Sequence, residues 1–159
     1  MCFSSTCAMA LKYIRPESLI GYNADDVYLK RVNMYGDTTY ADSQIRALHF
    51  YKVDANYRVN GSKADIIREI DAGYPVGVGI LHHGSASNPT GGHWMLAIGY
   101  DEDYIICHDP YGEADMVNGG YIKVGPYGKA IKYTWKNWLK RWQPEGPGHG
   151  YMLTFRNAM

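Results

Sequence analysis

The sequence carries no excess of either charge. Sixteen basic residues balance sixteen acidic ones over 159 residues, which argues against a nucleic-acid binder, since that class normally shows a basic excess. No apolar run in it approaches the ~18–20 residues needed to span a bilayer. Its three cysteines, at positions 2, 7 and 107, are too few and too odd in number for a disulfide framework. They suit a reducing compartment or a single reactive thiol. No signal peptide is visible, because Met1 leads straight into Cys-Phe-Ser-Ser. The expected location is cytoplasmic, unless the sequence is the mature part of a longer secreted or phage-released chain. There is no repeat at a period of about 20–50 residues and no low-complexity stretch.

What the sequence does have is 15 Tyr, 4 Trp and 18 Gly against only 3 Phe. Tyr and Gly suit strands, tight turns and a groove that is part polar and part apolar. At 17.9 kDa, with 46% apolar and 20% charged residues, the chain is expected to form one domain over 1–159 around one core.

Helical signals dominate the first half. Residues 3–14 lack breakers until Pro16. Asn23 is expected to cap a helix over 24–35, with Asp25 and Asp26 in its first turn and Gly36 at its end. A third helix is expected over 40–51. Ser62 caps another over 63–72, closed by Gly73. Strands are expected at 53–59, 75–81, 93–100, 104–109, 121–124 and 150–155, with a helix over 134–142 whose Trp135, Trp138, Leu139 and Trp142 share one stripe. Helices first and an antiparallel sheet later is the α+β pattern.

Three residues stand out for chemistry. Cys2 sits at a helix N-terminus, where free N–H groups and partial positive charge favour thiolate over thiol. Cys7 and Cys107 fall mid-helix and mid-strand and read as core. His93 opens the strand WMLAIGY after Gly91-Gly92, which leaves room beside the imidazole. Asp109 ends the next strand. If Asp101, Glu102 and Asp103 form a three-residue loop, Tyr100 faces Tyr104 and Met95 faces Asp109. Asp109 then lies diagonal to His93 on the same face of the hairpin. A two-residue loop would put the two on opposite faces. A carboxylate behind an imidazole fixes its tautomer and stabilises imidazolium, as in a nucleophile–base–orienter triad.

These residues resemble a family. Cys2-Phe-Ser-Ser-Thr-Cys-Ala8-Met9, Gly92-His93-Trp94 running to Gly99-Tyr100, and His108-Asp109-Pro110 together look like the C39-like cysteine peptidases. Those are papain-like-fold enzymes related to bacteriocin-leader peptidases. The resemblance runs from residue 2 to about 155. It implies a papain-like α+β fold, catalytic Cys2, His93 and Asp109, a peptide substrate, and neither metal nor cofactor. Stand-alone members by analogy cut a small peptide or a peptidoglycan peptide, as phage or bacterial lytic enzymes do. The sequence departs from the family pattern at one point. A Gln a few residues before the nucleophile normally helps form the oxyanion hole, and here only Met1 precedes Cys2. Loss of one such donor typically costs ~10²–10³ in rate. Ser4, Ser5 and Gln44 are candidate substitutes. A catalytically silent peptide-binding module is therefore the alternative.

A rival reading draws a metal site from His82, His83, His93, Cys107 and His108, although the sequence contains neither CxxC nor HExxH. His82 and His83, adjacent on a strand, should face opposite ways. His108 should face behind the sheet. The loop His83–Thr90 reads as a rim over the cleft, and the Trp-rich helix as a core element.

Overall fold

A computed structural model describes residues 2–158. The chain opens with α1 (Cys2–Ile14), a 3₁₀ turn (Pro16–Ser18), α2 (Ala24–Asn33) and α3 (Ala41–Phe50). It continues through β1 (Val53–Gly61), α4 (Lys63–Asp71), β2 (Val76–His83), β3 (Thr90–Tyr100) and β4 (Tyr104–His108). It ends with β5 (Gly112–Ala114), β6 (Tyr121–Val124), β7 (Ile131–Thr134), α5 (Trp135–Trp142) and β8 (Gly150–Asn157). Six strands form one antiparallel sheet in the order β1-β8-β2-β3-β4-β7, and β5 pairs with β6 as a separate hairpin.

Alternation along the strands builds a core on each face of this sheet. Leu96, Leu153 and Phe155 point toward α1, α2 and α3, where they meet Phe3, Cys7, Leu11, Tyr28 and Leu48. Val76, Val78, Ile80, Met95, Ala97, Ile105 and Cys107 point the other way, toward Ile66 of α4 and Trp135, Trp138 and Trp142 of α5. The Trp-rich helix is thus a core element, its three indoles buried. Arg141 of the same helix is buried too. Its guanidinium donates to the carbonyls of Met116 (2.7 Å), Leu81 (3.0 Å), His83 (3.0 Å) and Gly84 (2.8 Å). One side chain so ties the end of β2 to the segment before β6.

The helix ends largely follow the sequence signals. Ser62 accepts from the Asp65 N–H while the Asp65 carboxylate accepts from the Ser62 N–H, a closed capping box. Gly73 after α4 takes φ +91°, open to glycine and strained for other residues. Asn23 differs: it occupies the N-cap of α2 but makes no side-chain cap bond. The short strands β5 and β7, of three and four residues, are too short for their patterns to announce a strand, and the sequence does not predict them.

The β3–β4 hairpin departs from the simple three-residue loop. The Asp101 N–H donates to the Tyr104 carbonyl (2.9 Å), and the Tyr104 N–H turns onto the Asp101 carboxylate (2.8 Å), closing the turn around Glu102 and Asp103. Tyr100 consequently pairs with Ile105, not Tyr104. Continued regularly, that register would set Asp109 opposite Leu96, on the wrong face for His93. A bulge intervenes. Gly99 pairs with Ile106 but Ala97 with Cys107, so Ile98 is the extra residue on β3. Beyond the bulge Leu96 pairs with His108, the register that brings His93 and Asp109 to one face.

Candidate active site

Each of the three singled-out residues lies at the end of an element. Cys2 is the first residue of α1, His93 lies near the start of β3 and Asp109 follows β4. Phe3, the next residue of α1, stacks on Trp94 of β3 at 4.1 Å and 3°. That stack fixes the start of the helix against the strand that carries His93. Gly79 on the neighbouring strand leaves the space for it, since a Cβ there would stand 3.3 Å from the Trp94 ring.

The structure brings the three together. His93 Nε2 and Asp109 Oδ1 are 2.7 Å apart, with both side chains buried. The other ring nitrogen, Nδ1, is buried without a partner of tight geometry. It is the ring atom left for Cys2, and thiol and imidazole shift one another's pKa. Burial pushes the Cys2 thiol up, but the hydrogen bond and charge of His93 and the Trp94 N–H outweigh it, and the thiol ends below its ordinary value. Burial pushes His93 down, but Asp109 and Cys2 outweigh it, and the imidazole ends above its ordinary value. Both shifts favour a thiolate–imidazolium pair. Cys7 and Cys107 are buried thiols pushed upward by desolvation.

Asp109 is clamped by more than His93. Its Oδ1 also accepts from the Tyr111 N–H (2.8 Å), and its Oδ2 accepts from the Tyr121 hydroxyl (3.0 Å). Its backbone N–H donates to the Gly128 carbonyl (2.8 Å). Tyr121 gave no signal in the sequence, because only the β5–β6 hairpin carries it back to Asp109. His108 faces the other way, as expected, and its Nδ1 accepts from the Ala130 N–H (2.8 Å).

Cys2, His93 and Trp94 lie in a cleft of about 590 Å³, shared with Thr38–Ala41, Tyr57, Gly79, Tyr151 and the 144–149 segment. The loop expected to form the rim, between His83 and Thr90, does not line this cleft; the walls come from 38–41 and 144–149. Two of the three substitute oxyanion donors, Gln44 and Ser4, are committed elsewhere. Gln44 is fully buried, with its amide nitrogen donating to Ser4 Oγ (2.8 Å) and the Thr38 carbonyl (2.9 Å) and its oxygen accepting from the Tyr28 hydroxyl (2.8 Å). It braces the cleft wall against α1. Ser4 is buried on the same bond.

The donors of the rival metal reading do not converge: the His82, His83 and His93 rings gather together, while Cys107 and His108 lie apart from them. His108 is on the far face, and Cys107 is buried in the core. The rings of His82 and His83 lie 4.0 Å apart, not on opposite faces, because β2 ends there. Among the described residues no group of three or more His, Cys, Asp or Glu side chains is arranged to hold a metal ion.

Two packed helix layers around an antiparallel sheet, with a cysteine at the first helix and a histidine across from it, make a papain-like α+β fold of the C39-like peptidase kind. A C39-like peptidase structure from Bacillus anthracis superposes with TM-score 0.59 at 14% identity, covering 99% of this chain and 90% of its own. A double glycine motif protease from an AMS/PCAT transporter, crystallised with the leader peptide, superposes with TM-score 0.56 at 14% identity, covering 98% and 84%. No curated protein matches the chain. The profile of the Peptidase_C39 like family matches residues 1–146, and the chain belongs to that family.

Proposed function

We propose that this protein is a cysteine peptidase that hydrolyses an amide bond through Cys2, His93 and Asp109. The supporting observation is the buried His93–Asp109 pair at 2.7 Å, its remaining nitrogen uncommitted and Cys2 lining the same open cleft. The Cys2 thiolate attacks the carbonyl carbon and its oxygen takes up the negative charge. Protonated His93 gives its Nδ1 proton to the leaving amine as the C–N bond breaks. Water, losing a proton to His93, then resolves the thioester and restores Cys2. Asp109 holds the Nε2–H tautomer and stabilises imidazolium. The N–H groups of the first turn of α1, the turn that begins with Cys2, are the donors assigned to the oxyanion in this mechanism.

The substrate is a peptide, and by family analogy a small peptide or a peptidoglycan peptide. One solved neighbour holds a leader peptide, and no described helix here is long and apolar enough to cross a membrane. The second reading, a peptide-binding module without turnover, draws on Gln44 and Ser4 being committed elsewhere. Turnover of a peptide library by the wild-type protein and its absence in Cys2→Ala supports the peptidase. Peptides that shield Cys2 from alkylation yet survive uncut would establish the silent module instead.

A further inference from the structure

The carboxylate behind His93 is itself held by a directed chain of hydrogen bonds. Oδ2 of Asp109 accepts from Tyr121 at 3.0 Å, and the Tyr121 oxygen lies 2.9 Å from Nδ1 of His82. A carboxylate has no hydrogen to give, so the phenol must donate to it. The phenol's one hydrogen is then committed, so Nδ1 of His82 must carry the next. The direction is fixed throughout: His82 to Tyr121, Tyr121 to Asp109, and His93 to Asp109 from the other side.

His82 also touches His93 directly. The two rings are stacked, 4.4 Å between centroids and 7° from parallel. The groups facing His82 are His93, His83, Asp109, Arg141, Tyr111 and Tyr121. Burial, then the charges of His93 and His83, push its pKa down to about 4, against Asp109. His82 is therefore neutral at neutral pH and does not repel the imidazolium it covers. Burial and Asp109 push the Tyr121 phenol up, so it keeps the hydrogen it donates.

We infer that Tyr121 and His82 are positioning residues: Tyr121 holds the second oxygen of Asp109, and His82 aims the Tyr121 hydroxyl while backing the His93 ring. The inference rests on the proposed roles of Cys2, His93 and Asp109. Neither residue lines the cleft, so both act through Asp109 and His93 and not on substrate. Without the Tyr121 hydroxyl, Oδ2 loses the partner that fixes the rotation of the carboxylate, and Oδ1 no longer keeps its place on His93 Nε2. Asp109 then supports imidazolium less well, and His93 supports the Cys2 thiolate less well. The sign follows: loss of the hydroxyl raises the pKa of Cys2.

The test is a pH titration of Cys2 by ultraviolet thiolate absorbance, with Cys2→Ala as the blank and iodoacetamide alkylation as the second readout. Tyr121→Phe is expected to raise the Cys2 pKa by about one unit and to slow alkylation near pH 6 by roughly tenfold. His82→Phe keeps a flat ring and loses the donor; it is expected to shift Cys2 the same way by less. His82→Asn restores an N–H near the position of Nδ1 and is expected to return Cys2 toward the wild-type value. A folded Tyr121→Phe whose Cys2 titrates as in wild type would overturn the inference while leaving the peptidase reading intact. If Tyr121→Phe does not fold, an unshifted His82→Phe overturns it in the same way. Wild-type Cys2 titrating as an ordinary thiol would overturn the peptidase reading and this inference together.

Discussion

At the scale of single residues, the opposed shifts of Cys2 and His93 define a pH window. The Cys2 pKa is lowered, so thiolate is present above that value and is lost as pH falls through it. The His93 pKa is raised, so imidazolium is present below that value and is lost as pH rises through it. Activity should be bell-shaped, with the acidic limb set by the thiol and the alkaline limb by the imidazole. Initial rates across pH test this. Asp109→Asn should leave the protein folded and slow turnover by ~10²–10⁴, nearer the lower figure, because a thiolate–imidazolium pair needs less help from a third group. Kinetics alongside circular dichroism check it. Cys2, His93 and Asp109 were legible in the sequence because each sits at the end of an element with a distinctive neighbour. Tyr121 was not legible, since its bond to Asp109 spans a hairpin whose β5 strand is only Gly112–Ala114. His82 enters the sequence analysis only through the rival metal reading; the stack on His93 and the bond to Tyr121 come from tertiary packing.

At the scale of elements, the β3–β4 hairpin shows where a correct pairing was expected through an incomplete route. The face shared by His93 and Asp109 was predicted from a three-residue loop. The turn is tighter than that, and the Ile98 bulge supplies the missing step of register. Bulges leave little trace in a mainly apolar run such as Trp94–Ile98, which is why the sequence hid this one. The strand ends behind Asp109 are equally tight. A Cβ on Gly128 would stand 2.0 Å from the Asp109 carbonyl oxygen, so Gly128→Ala must part the two backbones and disturb the setting of Asp109. It is expected to lower turnover more than it lowers stability, measured by comparing rates with a urea melt. Helix signals were the easiest to read, because caps act locally. Ser62→Ala should cost about 1 kcal/mol by losing the capping box. Asp65 in that box is pulled down to about 2: burial raises it, and Arg68, Ser62 and Arg58 overcome that. The contribution of Asp65 is present above its unfolded value and is lost as pH falls toward 2.

At the scale of the whole molecule, one sheet separates two cores, and the site lies where the helix-side core meets the strand ends. The α+β class was legible from the order of helical and strand signals. The pairing of β1 with β8, strands far apart in sequence that meet at Val53 and Asn157, was not. Arg141 spans the second core, and its bonds to four carbonyls within 3.0 Å leave buried acceptors when it is removed. Arg141→Met should destabilise by about 3 kcal/mol or more in a denaturant melt. The three cysteines sample three places in the molecule: Cys2 at the cleft, Cys7 in the helix-side core and Cys107 in the opposite core. The most direct test of the site is therefore iodoacetamide labelling near pH 6, resolved by peptide mass mapping, in wild type and His93→Ala. The site predicts rapid modification of Cys2 alone, lost on His93→Ala, with Cys7 and Cys107 inert in both. Equal slow labelling of Cys2 in the two proteins would contradict it.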